Sequence, residues 1–470
     1  MRASGSLHKR GRVRRGLIEF LRVPLLIAVG FCIAAVVIGW ADSARVLPPL
    51  LRGMLDHVVP SREAVSFISA VATSLMTVTS ITFSVLLIAV QQTASSLTPV
   101  VFDQYLRRTS NRVYFGFFVG ATAFAFILLA TARQKPAPEL GAVVTLVLTL
   151  VALVALLFLI HSTVDQMRPQ SVVRSIHELG LRARQRELRL LGRCRVRSEV
   201  AEGAPVRAVR SPDSGYVVSI DLDRLARVAE EAGDEGEVVV TGHLGQYILF
   251  GEVIAEVTGL ASDDDGADRE VVGAFELGDV RDVDAEGGYA IDQLENIAWA
   301  TGSSAIQSPS TSASAIRAIG DLVARWLESG ERDRSPEATR ETVLPVVYED
   351  GATDRGISAL AAITLAATES SQAQTAAELV RAFALIAPRL ESDDDRAAFT
   401  GALDACLPAL AQHGSLPALM AALRGLSAEM SRAGMDASHV DETSALLTRS
   451  ASQLQPKPSS EPSATHPEGR

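Results

Sequence analysis

Four runs of the chain stay apolar for long enough to cross a hydrocarbon core: Val23 to Trp40, Val65 to Val90, Val113 to Ala132 and Leu140 to Ile160. The second carries no charge over 26 residues. At about 1.5 Å per residue it measures roughly 39 Å against a core of about 30 Å, so it must tilt or project. Trp40, Tyr114 and His161 stand at run ends, where amphipathic rings favour the interface. Within the second run Ser66, Ser69, Thr73, Thr77, Ser80 and Ser84 recur at three- and four-residue steps, and Gln91 continues the line. That spacing places them on one helix face. Such a stripe either packs against another helix through small hydroxylated residues or lines a water-filled path. Both readings stand at this point, with packing the simpler.

Between and after the runs the pattern turns amphipathic. Thr98-Pro99 caps a segment with Val101, Phe102, Tyr105 and Leu106 against Asp103, Arg107 and Arg108, which predicts a short surface helix or a structured loop. Pro48 to Val58 reads as a similar segment on the opposite side. From Pro169 a helix is expected in which Arg182, Arg186, Arg189 and Arg193 share a face, with Val173, Ile176 and Leu188 as apolar contacts. That face suits anionic lipid headgroups, at about 1 kcal/mol per basic residue near the surface, or plain solvent. Basic residues cluster before the first run, between the second and third, and after the fourth. The positive-inside rule then puts both termini in the cytoplasm, with the spans in the plasma membrane.

Beyond Pro205 the period shortens. Val206 to Ser211, Gly215 to Ile220, Glu237 to Thr241, Tyr247 to Phe250 and Val253 to Val257 read as strands, with a helix capped by Asp221 between the second and third. The glycine rhythm of Gly215, Gly242, Gly245 and Gly251 is similar to that of small biotinyl- or lipoyl-type β-sandwiches. A carrier role is set aside, because the chain's lysines are Lys9, Lys135 and Lys457 and none falls in this module. Further on, helices are expected around Ile291 to Ala298, Arg355 to Glu369, Gln374 to Leu390, Asp394 to Gln412 and Leu416 to Arg432, in a helical bundle. Gln455 to Arg470, dense in Pro, Ser and Glu, reads as a disordered tail.

Charge separates the two halves. Residues 1–199 hold 24 Lys and Arg against 10 acids, and the remainder 20 against 45, giving the net −11 of the whole. An acidic soluble half excludes nucleic-acid binding as an expectation. Cys32, Cys194 and Cys406 show no disulfide or metal-ligand spacing, and Asp263 to Asp268 lacks the EF-hand pattern, so no metal and no cofactor is expected. There is no phosphate-binding glycine loop with Lys, no Gly-x-Ser-x-Gly and no His-Glu-x-x-His, while His177, His243 and His413 stand isolated. No catalytic residue is assigned, and an enzyme is not expected.

Ser74 to Thr79, Phe83-Ser84-Val85, Gln91 to Ser96, Pro99, Leu106-Arg107, Asn111 and Phe115 to Gly120 together resemble the bacterial predicted membrane proteins grouped as domain of unknown function 2254. The resemblance implies an architecture and no activity. The family's Ala-Leu-Ser-Pro-x-x-Asn-Asp-Pro-x-Thr phrase is matched here by Ser303, Pro309 and Thr311, with Ser304 for the first proline and Gln307-Ser308 for Asn-Asp.

The expected fold is a membrane protein with an α-helical four-span N-terminal half and a cytoplasmic α+β half, the latter a small β-sandwich-like module followed by a helical bundle. The expected divisions are a basic tail at 1–22, the spans within 23–160, a basic helix at 161–200, the β module at 201–285, helices at 286–450 and the tail at 451–470. Partners are the bilayer, anionic headgroups and further copies of the chain, with any protein partner open. The expected function is an oligomeric channel or transport-type protein, or else a tethered scaffold or sensor.

Overall fold

The computed structural model describes the chain except residues 1–4, 45, 47, 61, 97–108, 133–137, 167, 199–204, 234–235, 260–264, 282–285, 303–308, 334–342, 371, 413–415 and 455–470. The segment expected at 98–108, most of the Ser303–Thr311 phrase, His413 and the Pro-Ser-rich tail therefore lie outside the described residues. The described chain divides into two compact units, residues 1–172 and 173–470.

The first unit is helical. Its elements are α1 (Gly5–Ser43), α2 (Pro49–Val58), α3 (Ala64–Ser96), α4 (Thr109–Ala132) and α5 (Glu139–Gln166). Four stretches are long and apolar enough to cross a membrane: Leu21–Ser43, Ala64–Gln92, Thr109–Ala132 and Glu139–Asp165. α4 packs against α1, α3 and α5. Its closest approach, to α1, is made by Gly116 and Gly120, a small-xxx-small pair that brings membrane helices together. A Cβ at Gly116 would lie 2.9 Å from the Pro24 Cα, and one at Gly120 2.5 Å from the Phe31 ring. Phe31 then meets Phe117 and Phe124 edge to face. At the end of α1, Asp42 turns onto the start of α5: its carboxylate accepts the Leu140 and Gly141 N–H groups at 3.1 and 2.9 Å. These are orphan donors of a helix N-terminus, and an anion there also meets the favourable end of the helix dipole.

The second unit opens within α6 (Pro169–Leu191) and continues through β1 (Val206–Arg210), β2 (Gly215–Ile220), α7 (Leu222–Glu231), β3 (Glu237–Val240), β4 (Tyr247–Ile248), β5 (Val253–Thr258), α8 (Asp265–Ala274) and β6 (Phe275–Gly278). Then follow α9 (Gly287–Gly302), α10 (Pro309–Asp333), β7 (Val346–Tyr348), α11 (Ala352–Glu369), α12 (Ala373–Ile386), α13 (Asp393–Leu410), α14 (Pro417–Arg432) and α15 (Ser438–Leu454). The strands form two sheets, ordered β1-β5-β3-β7 and β4-β2-β6. Pairing is antiparallel except between β3 and β7, where Val238 lies beside Val346 and Val240 beside Tyr348.

β7 is a strand that the sequence pattern did not disclose. It comes from beyond residue 285, so the larger sheet is completed by a segment from inside the helical region. Three residues are too few to show a period, and Val346, Val347 and Tyr348 are buried alike. α8, β6, α10 and α15 were also unassigned. α7, by contrast, forms as expected, with the Asp221 carboxylate accepting the Arg224 N–H at 3.1 Å and Leu225, Ala226 and Ala229 inward. The sheets and α7 close over one core that includes Leu225, Val238, Ile248 and Val257. The helices beyond it stack in order: α9 on α10 and α11, α10 on α12, α11 on α13 and α12 on α14. Fully buried Ile291, Leu294, Ile319, Leu322, Leu360, Leu379 and Phe383 fill the spaces between them.

A candidate ligand cleft in the second unit

The sequence-predicted hydroxyl stripe is brought together on α3, but on its open side. Ser66, Thr73, Thr77, Ser80, Ser84 and Gln91 are exposed within the unit and Ser69 half-buried, whereas Ala64, Ile68, Ala72, Leu75 and Leu86 are the buried face. The hydroxyls of Thr73, Thr77 and Ser84 each donate to the carbonyl four residues earlier, at 3.0, 2.9 and 2.9 Å. That bond satisfies the donor without a second helix. The stripe therefore does not pack on α1, α4 or α5.

The basic face is partly as expected. Arg182, Arg186 and Arg189 are exposed on α6. Arg193 lies past the helix end at Leu191 and pairs with Asp223 of α7, so it does not continue that face. The helix instead presents a different arginine inward. Arg184 is buried, 2% exposed, among Ile176, Ala183 and Leu188 on the packed side of α6. Two residues from Arg182 or Arg186 is about 200° around a helix, so its position opposite the basic face was legible from spacing. Its partner was not: Nη1 donates to Asp350, 166 residues on, at 2.8 Å, and to Glu187 at 3.1 Å, and its Cζ stands 5.5 Å from the Trp326 ring.

Arg184 begins a network of buried charges around a cleft of about 530 Å³. Six stretches build it: α6 brings Glu187, β2 brings Tyr216, the turn from Gly242 to Tyr247 brings His243, Arg281 follows β6, the start of α9 brings Glu286, and the β7–α11 junction brings Tyr348, Glu349 and Arg355. The cleft has the size of a small-molecule site. Arg281 donates to Glu286 from Nε at 3.0 Å and also pairs with Asp292. Arg355 clasps the same Asp292 with two bonds of 2.6 Å, and its Nη1 lies 3.6 Å from Glu286. Glu286 and Asp350 stand at the N-termini of α9 and α11, where Asp350 also accepts the Ala352 N–H at 3.3 Å. The helix ends thus add positive potential that helps hold these acids.

Gly245 explains why the turn can close over Glu286. Its φ of +76° lies in the left-handed region, and a Cβ there would fall 1.8 Å from the Glu286 carboxylate. The Tyr348 hydroxyl accepts the Leu244 N–H at 2.9 Å, tying β7 to this turn.

Burial shifts the titrating groups. The Glu187 carboxyl is pushed up to about 6 because removal from water disfavours its charge more than Arg184 restores it. Glu286 is raised for the same reason against the pull of Arg281. His243 is lowered by burial.

Of the histidines that looked isolated in sequence, His177 has its Nε2 2.7 Å from Asp321, and His243 lines the cleft. Among the described residues no group of three or more His, Cys, Asp or Glu is placed to hold a metal ion.

Residues 19–384 match the family model described as a predicted membrane protein, DUF2254. That match spans most of the chain and both units. The chain belongs to the DUF2254 family. Four membrane-length helices and family membership together make this DUF2254 chain a membrane protein of unknown function. The match includes every segment that lines the cleft. No curated protein and no solved structure matches the chain.

Proposed function

We propose that this protein is a membrane-tethered sensor whose second unit binds a small ligand in the cleft around Glu187, His243 and Glu286. The observation that carries the reading is the convergence of sequence-distant segments, from α6 to the β7–α11 junction, on one polar cavity whose walls are tied by Arg184, Arg281 and Arg355. Ligand bound there would bear at once on α6, the β7–α11 junction and α9. Because α6 follows directly on the last membrane helix, it is the element through which occupancy would be passed on. On the charge asymmetry of the flanks, both termini and the cleft face the cytoplasm of a bacterial inner membrane, and Arg182, Arg186 and Arg189 meet anionic headgroups. The reading assigns no reaction.

The test uses Gly351→Trp. Gly351 lines the cleft with open space where a Cβ would stand and an ordinary φ of −87°, so the indole fills the cavity without strain. Native mass spectrometry of gently solubilised protein, supplied with extracted metabolites, should show a small-molecule adduct on the wild type and none on the variant. An empty wild type, with melting unmoved by any metabolite at millimolar concentration, would sink the sensor reading.

A second reading is favoured by the open hydroxyl face of α3. Several copies would bring these faces together, either packed or around a water path of channel or transport type. A Thr77→Cys protein that never reacts with a small water-borne reagent, while folded and assembled, excludes the water path.

A further inference from the structure

We propose that the cleft takes a small organic cation, a molecule with an ammonium or guanidinium head, seated between Glu187 and Glu349 and against the Tyr216–Tyr247 pair. The proposal deepens the ligand-binding reading above and rests on it.

Charge is the first argument. Five carboxylates, Glu187, Glu286, Asp292, Glu349 and Asp350, line the cleft or stand directly behind it, against the three guanidiniums of Arg184, Arg281 and Arg355. Arg184 serves both Glu187 and Asp350, and the other two serve Glu286 and Asp292. Glu349 is exposed and has no cationic partner among the described residues. The α9 and α11 N-termini offset about half a charge each, which leaves the cleft about one negative charge in excess.

Unmet hydrogen bonding is the second. Glu187 is 8% exposed; its Oε2 accepts from Arg184, while Oε1 receives no donor among the described residues. The Tyr348 hydroxyl, 4% exposed, accepts from Leu244 and donates to no acceptor among the described residues. The Nδ1 atom of His243 is buried without a partner among the described residues. A carboxylate oxygen with no donor at the wall of a cleft is open to an N–H donor from a ligand, and the strongest is a charged one. Tyr348 and His243 suit a hydroxyl or carbonyl elsewhere on the same molecule.

The third argument is what the guanidiniums do not offer. All three nitrogens of Arg281 already face Glu286 and Asp292, and Arg355 spends two on Asp292 with the third near Glu286. An anion would find carboxylates at the Arg edges where it needs open donors. The Tyr216 and Tyr247 rings, 4.9 Å apart edge to face, instead supply the negative π faces that attract a cation.

The experiment uses full-length protein in nanodiscs of zwitterionic lipid, so that the bilayer itself takes up no cation. Calorimetric titrations with agmatine, spermidine and tetramethylammonium are set beside titrations with phosphate and succinate. Expected is saturable binding of agmatine or spermidine, one per chain and tighter than tetramethylammonium, which has no N–H to donate, weakened about tenfold or more by Glu187→Gln and by Glu349→Gln. Binding should strengthen several-fold between pH 5 and 7, because the Glu187 carboxyl, pushed up to about 6, must ionise to hold the ligand. Glu349 is exposed, so its variant reports even where Glu187→Gln fails to fold. Cation binding indifferent to both substitutions overturns the proposal. Binding of phosphate or succinate that Gly351→Trp abolishes and Glu187→Gln leaves unchanged or strengthens also overturns it, while the sensor reading survives. If no probe of either sign binds, the cation class is excluded, and the adduct experiment above decides separately whether the cleft binds anything.

Discussion

In residues 1–172 a hydroxyl ends on a carbonyl of its own helix, as Thr77 does on Thr73. In residues 173–470 a buried guanidinium ends on a carboxylate 166 residues away, as Arg184 does on Asp350. Back-bonding serves hydroxyls in both units, as buried Thr364 does on Leu360, but only the second unit buries charges such as Arg184 and Glu187 among the described residues, and the solvent outside each unit accounts for that difference. Against hydrocarbon an unmet donor has no water to fall back on, so local back-bonding and close Gly116–Pro24 contact are the economical arrangement. Against water the unit can hold charged groups at a cleft, because the buried ones are paired across the fold.

The contrast can be broken most severely at Arg184. Arg184→Met removes the cation from Glu187 and Asp350 and should cost about 3–5 kcal/mol, read as a loss of the second unit's melting transition while the membrane helices keep their circular dichroism. In the membrane unit the counterpart is steric. Gly120→Leu forces a side chain into the Phe31 ring and should cost about 1–3 kcal/mol or more, measured as lowered thermal stability in detergent.

A pH series sharpens the comparison. Because the folded Glu187 carboxyl is raised from an ordinary 4.5 to about 6, the folded state holds its proton more tightly than the unfolded one. Its contribution makes stability fall as pH rises from 4.5 to 6 and then level off, by about 2 kcal/mol in all. Glu187→Gln should flatten that part of the denaturation-versus-pH curve, with no matching change in the membrane unit.

Asp42→Ala is expected to cost about 1 kcal/mol by uncapping α5, seen as faster hydrogen exchange at Leu140 and Gly141. The smallest effect belongs to Thr73→Val and Thr77→Val. Their hydroxyls already bond within α3, so the single chain should barely respond. If copies meet on that face, assembly loosens by about 0.6 kcal/mol per lost interhelical bond, visible as a shift in the monomer–oligomer balance.

Length and hydrophobicity alone determined the four membrane helices, since a segment of about 20 apolar residues must satisfy its own backbone as a helix wherever it lies. The Asp221 cap and the stripes of Leu379, Phe383 and Leu403 were legible for the same reason, that their information lies within a turn or two of the chain. The hydroxyl stripe was legible as a face, but not which way it looked, because orientation depends on α4 and α5 taking the Leu75–Leu86 side. β7 was illegible: three buried residues become a strand only when β3 offers a parallel edge.

The cleft lies furthest from the sequence. Asp350, Glu286 and Gly245 look like ordinary loop residues until tertiary structure sets Asp350 against Arg184 and Glu286 against Gly245. Pairing of charges across 166 residues leaves no periodic trace, since each partner is chosen by where the fold delivers it and not by its neighbours in the chain. The sequence by itself therefore determined which segments are long and apolar enough to cross a membrane and where helices such as α7 begin. Only the tertiary structure decided which arginine is buried, which carboxylates share it, and that a cavity stands open beside them, because these depend on contacts that exist only after the chain has folded.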